Sequence, residues 1–145
     1  MYSFLMPYAK AKPFVAQPAR SLFIESEIAL MLAARRMVAE KPEYKTDFGQ
    51  RIEAIVERLE ASPNKVMESY PDECWLFDHS MALAAIRLGD HLDGSDHRAF
   101  LQEWVKLAKL TLIDKQTGML ISSFGARRQR MDGPEGSSIW LSLHC

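Results

Sequence analysis

Apolar residues recur at three- and four-residue steps along residues 21–40, through Leu22, Ile24, Ile28 and Leu32 with Ala29, Ala33 and Ala34 among them. That spacing predicts a helix, which Pro42 is expected to stop. A second amphipathic helix is predicted over 48–59, with Ile52, Ile55, Val56 and Leu59 inward and Arg51, Glu53, Glu57 and Arg58 toward water. Ser62-Pro63-Asn64 closes it. A third runs from Pro71 to about Leu92 and is rich in small residues at Ala82, Ala84 and Ala85. Asp93-Gly94-Ser95-Asp96 then forms a turn, with Asp96 as N-cap. The fourth helix, 97–113, carries Phe100, Leu101, Trp104, Leu107, Ala108 and Leu110 as its apolar stripe. Residues 118–124 break the helical period and predict a short strand, half of a hairpin closed near Gly125. A last helix follows Pro134 and runs toward Cys145.

These elements form a near-repeat. Pro18, Pro71 and Pro134 each introduce a helix with a small-residue face, at separations of 53 and 63 residues. That interval suits a helical hairpin plus a structured loop. Pro71 and Pro134 are expected in the first helical turn, and the pairs Ser69/Asp72 and Asp132/Glu135 have capping-box spacing. Small-residue helices alternate with amphipathic ones, as inner and outer helices do in an α/α toroid. The expected fold is therefore all-α, a single partial domain over 1–145 with about two and a half hairpins of an incomplete (α/α)6 toroid. The short strand or hairpin falls in an inter-hairpin loop. As part of a larger assembly, such a piece is expected to leave apolar groups such as Leu83 or Ile86 uncovered.

Composition narrows the picture without adding chemistry. Apolar residues make up 48% and charged residues 26%, which predicts a folded core rather than disorder. A net charge of −1 gives no electrostatic reason to expect nucleic acid, and Arg127, Arg128 and Arg130 read as a solvated basic loop. No apolar run reaches the roughly 20 residues of a membrane span, and residues 1–14 lack a signal-peptide pattern. Cys74 and Cys145 have no CxxC partner and read as buried thiols, with a disulfide as the alternative. The stretch from Asp90 to His97 fails the EF-hand spacing, so no metal or other cofactor is expected.

The densest polar cluster surrounds Pro71: Tyr70, Asp72, Glu73, Cys74, Trp75, Asp78 and His79. Asp72 and Glu135 are expected to cap helices. Asp78 lies beyond the first turn, between Phe77 and the alanine-rich stretch, and Glu27 holds the comparable place before Ala29. Each is either surface-exposed or faces a polar cavity. If both point inward, the pair can divide acid and base roles. Glu27 and Asp78 are thus the catalytic candidates, with Ser69, Tyr70, Glu73, Trp75 and His79 as substrate-binding candidates. For His79 the plainer expectation is a hydrogen-bonded core histidine.

With these residues in view, the chain resembles the linalool dehydratase/isomerase family over roughly 27–140. The likeness is densest from Pro71-Asp72 to Arg87. It continues through His91-Leu92-Asp93-Gly94-Ser95-Asp96-His97-Arg98-Ala99, Trp104, and Leu112-Ile113-Asp114-Lys115-Gln116-Thr117-Gly118. The resemblance implies a six-hairpin toroid and cofactor-free acid/base chemistry on an allylic terpene alcohol, by loss of water or migration of the hydroxyl. Where that family carries a catalytic histidine and two pocket cysteines, this chain carries Glu27, Ser69 and Asp78. Cys74 occupies neither cysteine position.

The leading expectation is a lyase or isomerase acting on a small apolar alcohol, with self-association as a further expectation and no nucleic-acid partner. A six-hairpin glycosidase is the first rival, since two carboxylates suit glycoside hydrolysis and Trp75, Trp140 and Tyr70 suit sugar stacking. A non-catalytic interaction module is the second. A narrow apolar pocket favours the alcohol, aromatic platforms favour sugar, and solvent-facing acids favour the module.

Overall fold

The Ser21 hydroxyl opens the first long helix, α1 (Leu22–Val38), accepting the Ile24 N–H at 3.5 Å. The same hydroxyl donates to the Ser69 carbonyl at 2.8 Å, and Leu22 N–H donates to the Glu68 carbonyl at 2.9 Å. The start of α1 is thereby stitched to the segment that leads into the third helix. The computed structural model describes residues 2–4, 14–16 and 21–145. Pro18, expected to introduce α1, lies outside the described residues.

The next helix, α2 (Pro42–Ala61), begins six residues before the predicted start. Pro42 does not merely end α1; it occupies the first position of α2, where a missing N–H costs nothing. Two further helices, α3 (Leu76–Asp93) and α4 (Arg98–Thr111), form the second hairpin. Gly94, at φ +73°, ends α3 in the left-handed conformation that glycine adopts without strain. Asp96 does not occupy the N-cap of α4, which falls on His97, but its carboxylate accepts the Arg98 N–H at 3.1 Å. The last helix, α5 (Gly136–His144), packs against α3.

Strands β1 (Tyr2–Phe4) and β2 (Phe14–Ala16) pair antiparallel. A separate three-stranded antiparallel sheet joins β3 (Cys74–Trp75), β4 (Ser123–Phe124) and β5 (Arg130–Asp132), with β4 central. The expected hairpin near Gly125 is there, with Gly125 N–H donating to the Gln129 carbonyl at 2.9 Å. Its first strand is only two residues long. Among the described residues the fold is therefore mostly helical, five helices with this small sheet, rather than all-α.

Small side chains let α1 and α3 approach closely. Ala29 and Ala33 on α1 and Ala82 and Ala85 on α3 are fully buried, together with Ile86. Helix α2 lays Phe48, Ile52, Ile55 and Leu59 over this seam. A second cluster, Leu76, Trp104, Ala108, Leu112, Ile121 and Phe124, fills the space between α3, α4 and the sheet. The expected exposure of Ile86 is wrong, since α2 covers the α1–α3 seam, and Leu83 is half-buried. The exposed apolar side chains are others, including Val38, Leu110, Trp140 and Leu143.

The two capping boxes do not form either. Tyr70-Pro71-Asp72-Glu73 is a tight turn in which Glu73 N–H donates to the Tyr70 carbonyl at 2.9 Å. Pro71 takes its second place and Asp72, at φ +66°, the left-handed third. The helix starts five residues later, after β3. Pro134 precedes α5 by two residues, and Glu135 is its N-cap position without a side-chain hydrogen bond. Asp132 instead accepts the Ser123 hydroxyl at 2.6 Å, across the hairpin.

Arg36 fastens the far end of the seam. Its side chain is fully covered, lies 5.0 Å from the Phe48 ring centre, and donates to both Asp93 oxygens at 2.7 and 2.8 Å and to Glu40. Arg36→Met is expected to lower the unfolding free energy by about 2 kcal/mol, read from urea denaturation. The usual penalty for breaking a buried pair is larger, but the Asp93 and Glu40 carboxylates are 24% and 48% exposed and keep part of their hydration, and Asp93 keeps Lys45 at 3.3 Å.

Candidate functional site

The first turns of α1, α3 and α5 converge on one pocket of about 190 Å³. Phe23 comes from α1, Phe77 and Asp78 from α3, and Ser137 and Ser138 from α5, while Tyr70 and Trp75 close it from the turn and β3. Tyr70 packs between Phe23 and Trp75, at 5.6 and 6.5 Å between ring centres, the second contact edge-on. The Trp75 indole N–H donates to Glu73 at 3.1 Å, which fixes the ring.

Among the described residues Asp78 is the only carboxylate in this lining. It is 3% exposed and its Oδ2 has no hydrogen-bond partner. Burial pushes its carboxyl up to about 7, because an ionised carboxylate loses most of its hydration here. A hydrogen bond with Ser69 pulls the other way, and the Glu27 charge raises it further. The buried Ser69 hydroxyl also accepts the Trp75 N–H at 3.2 Å, holding the start of α3 beside the pocket.

Of the residues singled out from sequence, Tyr70, Trp75 and Asp78 line the pocket, and Ser69 and Glu73 support them. Glu27 sits half-buried on α1, near enough to act on Asp78 but outside the lining. His79 is not a pocket residue. It is 1% exposed and lies between Trp104 and Phe124, 5.5 and 5.4 Å from their ring centres. Met67 N–H donates to its Nε2 at 3.2 Å, so the ring proton is on Nδ1 and donates to the Trp75 carbonyl at 2.7 Å. Both nitrogens are used, and burial pushes its pKa down to about 4. Phe23, Phe77, Ser137 and Ser138 were not legible as site residues, although Ser137 and Ser138 hold the second and third positions of α5 as Phe77 and Asp78 hold those of α3.

The remaining candidates have structural roles. Cys74 is fully buried and its thiol is pushed up to about 12 by desolvation, which leaves it unreactive. It forms no disulfide, and Cys145 is an exposed free thiol rather than a buried one. Arg128 is not solvated: it is buried over the Trp104 ring, with Nε donating to the Asn64 carbonyl at 2.9 Å. Asp90 accepts from Ser95, His97 N–H and His97 Nδ1, closing the turn before α4. No cluster able to hold a metal occurs among the described residues.

No protein family matches this chain, and no curated protein matches it. A larger depression of about 680 Å³ runs along α4, lined by Leu101, Val105 and Leu110 with Arg87, Lys106 and Lys109. Among the described residues no acid, histidine or hydroxyl lines it. No helix of the described residues is long and apolar enough to cross a membrane.

Proposed function

We propose that this chain carries the acid/base pocket of an α/α-toroid enzyme of the linalool dehydratase/isomerase type, acting on a small, largely apolar alcohol. The observation that carries the reading is Asp78: a buried carboxyl, protonated in part at neutral pH, with one oxygen unpaired, in the lining of a cavity otherwise walled mainly by aromatic rings. The order of the helices supports it: α1 packs on α3 and α3 on α5, the succession expected of inner helices in such a toroid, with α2 laid over the α1–α3 seam.

In this reading Asp78 gives its proton to the alcohol oxygen as the carbon–oxygen bond breaks, leaving water and an allylic cation. The faces of Tyr70 and Trp75 stabilise that cation. The Asp78 carboxylate left by the proton transfer then takes a proton from the adjacent carbon to give the alkene and regains its acid form. The Glu27 charge, outside the lining, favours that return of the proton. Return of water at the other allylic end gives the migrated hydroxyl instead.

The test is turnover by the full-length protein of a ten-carbon allylic alcohol such as linalool, followed by gas chromatography. Asp78→Asn is expected to lower turnover about 10²–10⁴-fold, the usual contribution of a positioned acid. The parent rate is expected to fall about tenfold per pH unit above pH 7, as the acid form is depleted. Unchanged turnover in Asp78→Asn overturns the assignment, and turnover of aryl glycosides in place of the alcohol moves it to the sugar reading.

A further inference from the structure

A further cavity, of about 340 Å³, lies between α3, α4 and α5. Leu76, Ser80, Leu83, Ala84 and Arg87 form its α3 wall, a stripe at three- and four-residue steps. Leu101, Trp104, Val105, Ala108 and Lys109 form the stripe of α4 that lines it. Phe77 and Asp78 belong to neither, so this cavity and the acid pocket use different faces of α3. Small side chains leave the space. Ala84 and Ala108 both line it, whereas α2 fills the α1–α3 seam with Phe48, Ile52, Ile55 and Leu59. The cavity is open to solvent. Leu76, Trp104 and Ala108 at its floor are buried, Leu83 and Leu101 are half-buried, and Arg87, Val105 and Lys109 at its mouth are exposed.

The chemistry of the lining is divided between an apolar interior and a cationic mouth. Ser80 and Ser142 are the hydroxyls inside, and their protons are already used: Ser142 donates to the Ser138 carbonyl at 2.7 Å and accepts from Ser80 at 2.9 Å. The body of a ligand there is therefore apolar. At the mouth, Arg87 and Lys109 form no ion pair among the described residues, and no acid lines the cavity. Both also line the depression along α4, so they stand where the two hollows join. Arg98, farther along that depression, is already paired with Asp96 at 2.8 Å.

Size decides between a helix and an extended chain. One helical turn, 5.4 Å long and about 10 Å across, fills about 420 Å³, more than the cavity holds. At roughly 30 Å³ for each small group, the share of a water in its liquid, 340 Å³ takes a chain of about eleven carbons.

We infer that this cavity binds a medium-chain fatty carboxylate, with its tail inside and its head on Arg87 and Lys109. A guanidinium takes a carboxylate through two parallel N–H donors, and the ammonium adds a second positive charge.

The experiment is isothermal titration of the full-length protein at low salt with dodecanoate and with dodecanol, which share a chain length and differ in charge. The parent is expected to bind one dodecanoate about tenfold more tightly than dodecanol, the worth of a charge-assisted contact at an exposed mouth. Arg87→Gln combined with Lys109→Gln is expected to bring dodecanoate to the affinity of dodecanol and to leave dodecanol unchanged. Both positions are exposed, so this variant keeps the fold. Ala84→Leu, which occupies the cavity, is expected to weaken both ligands about tenfold or more. Octanoate in place of dodecanoate is expected to bind the parent about a hundredfold more weakly, and reads the tail even if Ala84→Leu misfolds. Equal affinity for acid and alcohol in the parent, or dodecanoate binding that survives the double substitution, overturns the inference. Affinity that does not depend on tail length places the ligand outside the cavity and also overturns it. So does the absence of saturable binding, the result expected if another part of the chain or a second copy of it fills the space.

Discussion

Asp78→Asn is expected to melt at a higher temperature than the parent at pH 8, and at nearly the same temperature at pH 4. In the unfolded chain Asp78 ionises with the ordinary value of 3.8, and in the folded protein near 7. The folded state therefore holds a proton at Asp78 that the unfolded state has lost between those values, and the contribution of Asp78 to stability falls as pH rises through the window. Below about 4 both states are protonated and the carboxyl is nearly equivalent to the amide. Above about 7 the folded protein carries a buried, ionised carboxylate. A displacement of about three units corresponds to about 4 kcal/mol at most, and residual hydration of the site brings the expected gain to about 3 kcal/mol. For a chain of this size that is a rise of roughly 10 °C, measured by differential scanning calorimetry at the two pH values. Equal melting at pH 8 would mean that the carboxylate is hydrated, and the pocket would lose its acid. A gain in stability with a loss of turnover is the usual signature of a residue kept for chemistry.

His79→Ala is expected to cost about 4 kcal/mol, measured by urea unfolding at pH 7.5. The imidazole joins two backbone groups, the Met67 N–H and the carbonyl of Trp75, the N-cap of α3. Its removal leaves the Met67 N–H without that partner, takes one hydrogen bond from the Trp75 carbonyl and opens a cavity between Trp104 and Phe124. His79→Phe separates the two contributions. It fills the space and keeps the ring contacts but lacks both hydrogen bonds, so about half of the loss is expected to remain. Full stability in His79→Phe would show that packing alone accounts for the position.

The helical skeleton was legible because its cause is local. Leu22, Ala29 and Ala33, or Phe48, Ile52, Ile55 and Leu59, sit on one face by spacing alone, and burial follows the face. Pro71 was misread because Ser69-Tyr70-Pro71-Asp72 fits a helix cap and a tight turn equally well over four residues. What decides between them is the pairing of Cys74 with Phe124, fifty residues away, which no local pattern encodes. The prominence of Asp78 was legible too, since an acid between Phe77 and a run of alanines has few cheap places to go. The contribution of Ser137 and Ser138 was not, because it depends on α5 lying against α3. The direction of His79 was settled by contacts from segments remote in sequence, Met67 and Trp104.

Asp78 and His79 are neighbours in the chain, separated by about 100° around α3, and that single step sends one into the pocket and the other into the core. Folding therefore acts on the proton inventory in two opposite ways. Between about pH 4 and 6.5 the chain takes up a proton at Asp78 as it folds and gives one up at His79, whose unfolded value is 6.5 and folded value about 4. The two exchanges have equal and opposite slopes, so their sum leaves the net charge of this pair the same in the folded and unfolded chain. The site can hold a carboxylic acid ready to donate in mildly acidic surroundings without making the fold itself a pH sensor. Each residue acts as the other's buffer.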